Sequence, residues 1–125
     1  MNSMNFKPEI DELHRLNEFI LNELPHEDFM VNLIVEEIFV NIVNYSQTEY
    51  IIVNLDYKEP NLTIEFVDNG IEFNPLLKED YEAPDSIEDA KIGGLGIHLT
   101  KEIADELDYR YEDGENHLII VKKVE

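Results

Sequence analysis

The first 45 residues carry apolar side chains at helical spacing. From about residue 8 to residue 24 they recur at steps of three and four, which predicts a first helix. Pro25 interrupts this pattern, and a second helix is predicted over about residues 26–45. Glu27 and Asp28 fall in its predicted first turn, where the helix dipole favours acidic side chains.

Two later regions alternate between apolar and polar residues, as half-buried strands do. Residues 50–58 and 62–67 predict one pair of strands joined as a hairpin. Residues 108–112 and 117–123 predict a second pair, and Asp113-Gly114 between them is a strong hairpin signal. Both strand pairs are therefore expected to be antiparallel.

The stretch between the two hairpins has a different character. Residues 71–92 show no periodicity, and a loop of that length in a compact domain is usually functional or mobile. The sequence Gly93-Gly94-Leu95-Gly96 follows, and a third helix is predicted over residues 97–107. The order of elements predicts one α+β domain over residues 1–125, a two-layer sandwich with helices on one face of a mostly antiparallel sheet.

Composition narrows the function further. The chain of 125 residues has 29 acidic and 9 basic residues, a formal charge of −20, which argues against direct binding to nucleic acid. It has no cysteine, so disulfides and thiol chemistry are excluded, and its four histidines lack the spacing of metal ligands. No apolar run reaches the roughly 20 residues that span a bilayer, and the first residues do not resemble a signal peptide. We expect a cytoplasmic protein without a membrane partner.

Polar residues interrupt the apolar stripe of the second helix. Glu37, Asn41 and Asn44 stand at positions i, i+4 and i+7 and so share one face, whereas Glu36 lies about 100° away and is expected to face solvent. A buried polar group without a partner costs about 1–3 kcal/mol. A carboxylate base and an amide oxygen for a hard cation such as Mg²⁺ would explain this face. The alternative is a solvated face of a mixed helix.

Two glycine-containing turns are further candidates for ligand contacts. Asp68-Asn69-Gly70 ends a predicted strand, where the aspartate could accept a hydrogen bond from a base and the glycine could allow close approach. It could equally be an ordinary turn. The glycines of residues 93–96 precede a helix and could expose backbone N–H groups to phosphate, or act as a hinge. The context fits neither a Rossmann fingerprint nor a Walker motif.

The order of these motifs is more specific than any one of them. It resembles the GHKL (Bergerat-fold) ATP-binding superfamily and, within it, the anti-sigma factor serine/threonine kinases. The resemblance runs from about residue 16 to residue 123. Four strings carry it: EEIFVNIVNYS at 36–46, VDNGIEFNP at 67–75, IGGLGIHLTKEIADEL at 92–107 and NHLIIVKK at 116–123.

The resemblance implies a role for each motif. Glu37 would be the general base, Asn41 would coordinate Mg²⁺, and Asp68 would bind the adenine amino group, with Gly70 giving the base room. Residues 71–92 would form the lid over ATP or ADP. Further nucleotide contacts are expected from Asn44, Phe73, Gly93, Gly94, Leu95, Gly96 and Ile97.

The resemblance also implies partners. The chain would bind a sigma factor and phosphorylate an anti-anti-sigma partner of the STAS-domain type, and a homodimer is suggested. Two alternatives stay open: a non-catalytic binding module gated by nucleotide, and a detached catalytic domain of the histidine-kinase type. Retention of Glu37 favours the kinase, because binding alone needs no base.

Three features depart from the family pattern. Only residues 4–6 could supply the strand that usually precedes the first helix, so the sequence leaves open whether the sheet has this strand or is one strand short. Tyr45 stands where many members have histidine. Ile119 is expected where the last strand often carries a threonine near the base.

Overall fold

The computed structural model describes residues 2–72, 100 and 102–124, and its architecture is a layer of helices on a five-stranded antiparallel sheet. The strand order is β1-β2-β3-β5-β4. The strands are β1 (Asn2–Phe6), β2 (Ile51–Lys58), β3 (Asn61–Asp68), β4 (Glu106–Glu112) and β5 (Glu115–Lys123). A 3-10 helix (Ile10–Glu12) leads into helix α1 (Leu13–Glu23), and helix α2 (Phe29–Tyr45) follows. The predicted α+β sandwich is confirmed.

The core lies between the two helices and one face of the sheet. Helix α1 buries Leu16 and Ile20, and α2 contributes a longer apolar face that includes Ile34, Ile38 and Phe39. The sheet contributes every second residue of its strands, as the period of a strand requires. These sheet residues are Ile51, Val53, Leu55, Leu62, Ile64, Phe66, Leu118 and Ile120.

The N-terminal strand, which the sequence left open, is present. Residues Asn2–Phe6 pair antiparallel with β2, and Phe6 lies opposite Ile51. Of these five residues only Phe6 is buried, so the strand has no alternating pattern that could be read from the sequence. The ring of Phe6 packs edge-on against Phe39 at a centroid distance of 6.0 Å. The Arg15 guanidinium lies 4.7 Å from the centre of the Phe6 ring. One aromatic side chain thus anchors the edge strand.

The boundaries of several elements differ from those predicted. Helix α2 begins at Phe29, and Asp28 is its N-cap, accepting a hydrogen bond from the Val31 backbone N–H at 3.0 Å. The third helix was predicted to reach Leu107, but Leu107 lies in β4 opposite Ile120. The prediction was wrong because Leu107, the second residue of the edge strand β4, also continues the apolar spacing of the helix that precedes it.

Several predictions fall outside the described residues. The third helix is described only at residues 100, 102 and 103, which are helical. Most of the predicted lid and the glycine-rich turn lie in residues 73–99, which the structure does not describe. Within the described part of the chain, no helix is long and apolar enough to cross a membrane.

The N-cap of α2 leads to a stability prediction. Replacing Asp28 with alanine should lower the free energy of unfolding by about 0.5–2 kcal/mol, because the Val31 N–H then loses its acceptor. Asp28→Asn is the matched control, since the amide oxygen can still accept that hydrogen bond. Chemical denaturation of both variants checks this, and an unchanged midpoint for Asp28→Ala would show that the cap contributes nothing.

Candidate functional site

A cavity lies between the C-terminal half of α2 and the sheet, at the end of β3, the middle of β4 and the start of β5. It contains about 390 Å³ of unfilled space, part of it open to solvent. Apolar side chains and a few convergent polar groups form its wall, which is typical of a small-molecule site. The lining residues are Ile38, Asn41, Ile42, Ser46, Phe66, Asp68, Tyr109, Asn116 and Leu118.

Asp68, the last residue of β3, is the buried acid of this cavity. Its Oδ1 accepts three hydrogen bonds: from Ser46 Oγ, from the Gly70 backbone N–H at 2.9 Å and from Asn116 Nδ2 at 3.0 Å. None of the described residues donates to its second oxygen, Oδ2. The carboxylate is therefore held in place through one oxygen, and the other remains able to accept a hydrogen bond from a ligand.

Asn116 links Asp68 to two other parts of the site. Its Oδ1 accepts a hydrogen bond from the Tyr109 hydroxyl, and its Nδ2 also donates to the Ile71 carbonyl at 2.8 Å. These partners fix the orientation of the amide, with oxygen towards Tyr109 and nitrogen towards Asp68. The first residue of the long loop is thereby tied to the strand that carries Asn116.

The end of α2 packs directly on the Asp68-Asn69-Gly70 turn. The Ile71 backbone N–H donates to the Ser46 carbonyl at 2.8 Å. A Cβ added to Gly70 would lie 1.8 Å from Ser46 Oγ and 2.1 Å from Ser46 O, so only glycine fits. Packing against Ser46 is the contact that requires glycine here, and a contact of Gly70 with a nucleotide stays a prediction.

Asn41 brings an unsatisfied polar atom to the cavity. The residue is 4% exposed, and none of the described residues donates a hydrogen bond to its buried Oδ1. Such an atom costs about 1–3 kcal/mol unless a ligand or ion satisfies it. An amide oxygen suits Mg²⁺, which accepts few protein ligands and keeps several waters. Among the described residues, no group of three histidine, cysteine or acidic side chains could hold a metal.

The other polar residues of the predicted α2 face lie beside the cavity rather than in it. Glu37 is half-buried and Asn44 is exposed, and both line a groove between α2 and the start of α1. Of the three residues predicted to share one face, only Asn41 lines the cavity. Glu36 is not the solvent-facing residue expected, because it is half-buried and its Oε1 accepts from Asn17 Nδ2 at 2.8 Å.

The expectation for Ile119 is wrong. Ile119 borders Asn54 and Thr63 on the sheet face away from the cavity, whereas Leu118 and Asn116 of the same strand line the cavity. Neighbouring residues of a strand point to opposite faces of the sheet. An error of one position in the sequence comparison therefore moves a residue from the cavity face to the opposite face.

Sequence reasoning also missed three polar residues of the site: Ser46, Tyr109 and Asn116. None of them belongs to a recognisable motif, and only the pairing of β3 with β5, which puts Asn116 opposite Asp68, reveals the network. That pairing brings together residues 48 positions apart. The predicted contacts Phe73, Gly93, Gly94, Leu95, Gly96 and Ile97 lie outside the described residues.

A tyrosine–glutamate pair braces the sheet beside Asp68. Tyr50, just before β2, donates a hydrogen bond from its hydroxyl to the Glu115 carboxylate at the start of β5. This hydrogen bond, with burial and the charges of nearby acids, raises the pKa of Tyr50 to about 12. Ile51 follows Tyr50 and Asn116 follows Glu115, and these two residues lie opposite Asp68 on the two neighbouring strands. The brace therefore joins the two strands that flank the buried acid.

The chain is similar to known proteins over most of its length. The family model of the histidine kinase-like ATPase domain matches residues 13–122. A curated relative, the serine/threonine-protein kinase BtrW of Bordetella bronchiseptica, is 28% identical over 96 residues, which cover 74% of this chain and 68% of that protein.

A solved structure, that of the Acinetobacter baumannii histidine kinase AdeS, is similar with a TM-score of 0.54. The match covers 99% of this chain and 68% of that one, at 11% sequence identity. At this level of identity the likeness shows the shared fold.

The Tyr50 brace predicts how stability depends on pH. Folded Tyr50 keeps its proton up to about pH 12, whereas an unfolded tyrosine loses it near pH 10. Because the folded state binds more protons in that window, its stability should fall as the pH rises from about 10 to 12, and the contribution should be complete below pH 10. Tyr50→Phe should remove this component, and denaturation at several pH values measures it. Tyr111→Phe, at an exposed position, is the control. If the stability of Tyr50→Phe depends on pH in the same way as that of the wild type, Tyr50 is not the source of this component.

Proposed function

The chain belongs to the histidine kinase-like ATPase domain family, and we propose that it binds Mg-ATP and transfers the γ-phosphoryl group to a serine or threonine of a protein partner. The observation that carries this proposal is the buried Asn41 Oδ1, an oxygen without a partner in the cavity wall. Asp68 lines the same cavity and supplies a carboxylate, whereas Asn41 supplies an amide oxygen.

Asp68 would recognise the base. Its Oδ1 is saturated by three protein donors, so Oδ2 would accept a hydrogen bond from the exocyclic amino group of adenine. The apolar neighbours Phe66, Ile38 and Leu118 would contact the faces and edges of the ring. A carboxylate fixed in advance loses little conformational freedom on binding, which favours affinity.

Asn41 would hold the magnesium ion that accompanies the phosphates. The bound ion would neutralise the charge of the phosphates and align them for transfer. This matters more in a chain with a formal charge of −20, because ATP is itself an anion. Phosphate contacts from residues 93–97 are part of this proposal and rest on the family resemblance.

Glu37 would act as the general base, one helical turn before Asn41. Its carboxylate would take the proton of the acceptor hydroxyl. The hydroxyl oxygen would then bond to the γ-phosphorus, the bond from that phosphorus to the bridging oxygen would break, and ADP would leave. Little other covalent chemistry is required of the protein in phosphoryl transfer.

The partner class follows from the relatives. The similarity to BtrW, a serine/threonine-protein kinase, supports a hydroxyl acceptor. The resemblance to anti-sigma factor kinases adds a sigma factor and a STAS-domain acceptor as partners, and suggests a homodimer. Incubation of the chain with neighbouring STAS proteins and γ-labelled ATP tests the transfer directly.

A second candidate function is a nucleotide-gated binding module without turnover. It is favoured by the position of Glu37, which lines the neighbouring groove and not the cavity that contains Asn41. The two functions differ in one measurement. A module would bind Mg-ATP and a partner without moving label to the partner.

The role of Glu37 can be tested by substitution. Glu37→Ala should keep nucleotide affinity near that of the wild type and lower the transfer rate by about 10²–10⁴, the usual cost of losing a general base. Calorimetry gives the affinity and single-turnover transfer of label gives the rate. Glu18→Ala, at an exposed position of α1, is the control. A transfer rate equal to that of the wild type would exclude Glu37 as the base.

Asn41 is tested by two variants. Asn41→Ala should weaken Mg-ATP binding about tenfold or more while the fold survives, because alanine suits a helix and removes an unpaired polar atom. Asn41→Asp keeps an oxygen ligand but adds a charge facing the triphosphate, so affinity should depend more steeply on Mg²⁺.

The measurements for Asn41 are the melting temperature and the Mg-ATP affinity of both variants. A purely structural asparagine gives the reverse pattern. In that case both variants lose thermal stability, and the folded remainder binds nucleotide as tightly as the wild type does.

A further inference from the structure

A second concave surface lies on the other side of α2, between that helix and the start of α1. We call it the α1–α2 groove, and the described residues that line it are Ile10, Leu13, Glu36, Glu37, Val40 and Asn44. It contains about 680 Å³ of space, part of it open to solvent. Glu37 is the residue that connects this groove with the proposed chemistry.

The groove combines an apolar floor with acidic groups. Ile10, Leu13 and Val40 supply the apolar contacts, and Ile10 is 46% exposed, a large apolar surface for a free side chain. Glu36 and Glu37 supply the charge, and none of the described lining residues is basic. Arg15, on the neighbouring helix α1, is engaged by Glu12 at 3.1 Å and by the Phe6 ring.

Glu36 is held in place in this groove. Its Oε1 accepts the hydrogen bond from Asn17 Nδ2, and none of the described residues donates to Oε2. None of the described residues donates to the buried Asn17 Oδ1, so the hydrogen bond to Glu36 is the contact that orients this amide. An acidic side chain fixed at the edge of an apolar groove is complementary to a lysine or arginine of a partner.

We propose that the α1–α2 groove binds an extended, basic segment of the protein partner and brings its hydroxyl residue to Glu37. This rests on the proposed function, because it uses Glu37 as the base. A lysine or arginine of the segment pairs with Glu36, and an apolar side chain packs on Ile10, Leu13 and Val40. The groove thus selects a partner of opposite charge to this chain, whose own charge is −20.

The spacing along α2 sets the spacing of the segment. Glu36 and Val40 are one turn apart, a rise of about 6 Å along the helix axis. Two residues of extended chain span about 6.6 Å, and their side chains point to the same side. The basic and apolar residues of the segment should therefore stand two positions apart, on either side of one residue.

Peptide titration followed by amide NMR tests the proposal. The probe is a short serine peptide with arginine and leucine two positions apart, added to the full chain with ADP and Mg²⁺. We expect shifts at Ile10, Leu13 and Val40, and about tenfold weaker binding when glutamate replaces the arginine. No shift at millimolar peptide, or equal binding of the glutamate peptide, would overturn the proposal.

Variants of the groove sharpen the test. Glu36→Gln keeps an acceptor for Asn17 but removes the charge, and Glu36→Lys should reverse the preference towards the glutamate peptide. Ile10→Asp should weaken binding of every peptide, and Leu21→Asp is its control, because both residues are 46% exposed and Leu21 lies outside the groove. Glu18→Lys is the matched control for Glu36→Lys. Melting temperatures confirm that each variant is folded, and wild-type affinity in the Ile10 and Glu36 variants would refute the assignment.

The same samples separate this proposal from the proposed function. Calorimetry with Mg-ATP reports the nucleotide site independently of peptide. A chain that binds ATP but shows no peptide shifts refutes the groove alone. A chain that binds peptide but no ATP refutes the kinase and the use of Glu37 as its base, and leaves peptide binding by the groove standing. Shifts at Ile10, Leu13 and Val40 that depend on protein concentration without peptide would instead assign the groove to a second copy of the chain and overturn the proposal.

Discussion

The cluster of three hydrogen bonds on Asp68 Oδ1 is the interaction on which the rest of the site depends. It joins the end of α2 through Ser46, the turn after β3 through Gly70, and β5 through Asn116. Hydrogen bonds to a charged acceptor contribute about 1.5–3 kcal/mol each, more than neutral ones. The cluster therefore satisfies a buried charge and fixes the height of α2 above the sheet, which sets the size of the cavity beneath that helix.

Once α2 is fixed at its end, the unsatisfied Asn41 is held where it is. An asparagine one turn before the anchored end cannot turn towards water without moving the helix, and the apolar face of the same helix is packed into the core. The free-energy cost of one buried oxygen without a hydrogen bond is small compared with the free energy that the burial of Ile34, Ile38 and Phe39 contributes. The fold can thus hold the Asn41 Oδ1 in a fixed position without a bound ligand.

The sequence predicted the elements with a clear period and missed those set by pairing across the sheet. Helix α2 and the β2–β3 hairpin have long apolar patterns, so their type followed from spacing alone. Strand β1 buries a single residue and gave no pattern, and Ile119 was assigned to the wrong face because a strand reverses its side chains at each residue. The roles of Ser46 and Asn116 depend on contacts 22 and 48 residues distant, which no local pattern contains.

The separation of Glu37 from the cavity follows from helix geometry. Four residues turn an α-helix by about 400°, so Asn41 lies about 40° around the axis from Glu37 rather than directly above it. That offset is enough for α2 to present Asn41 to the cavity and Glu37 to the α1–α2 groove. If nucleotide and acceptor bind on these two sides, transfer must occur at the boundary between them, where the two side chains stand one turn apart. In that case the helix would separate the two substrates along most of its length and bring them together at this boundary, and that would account for the polar residues that interrupt its apolar stripe there.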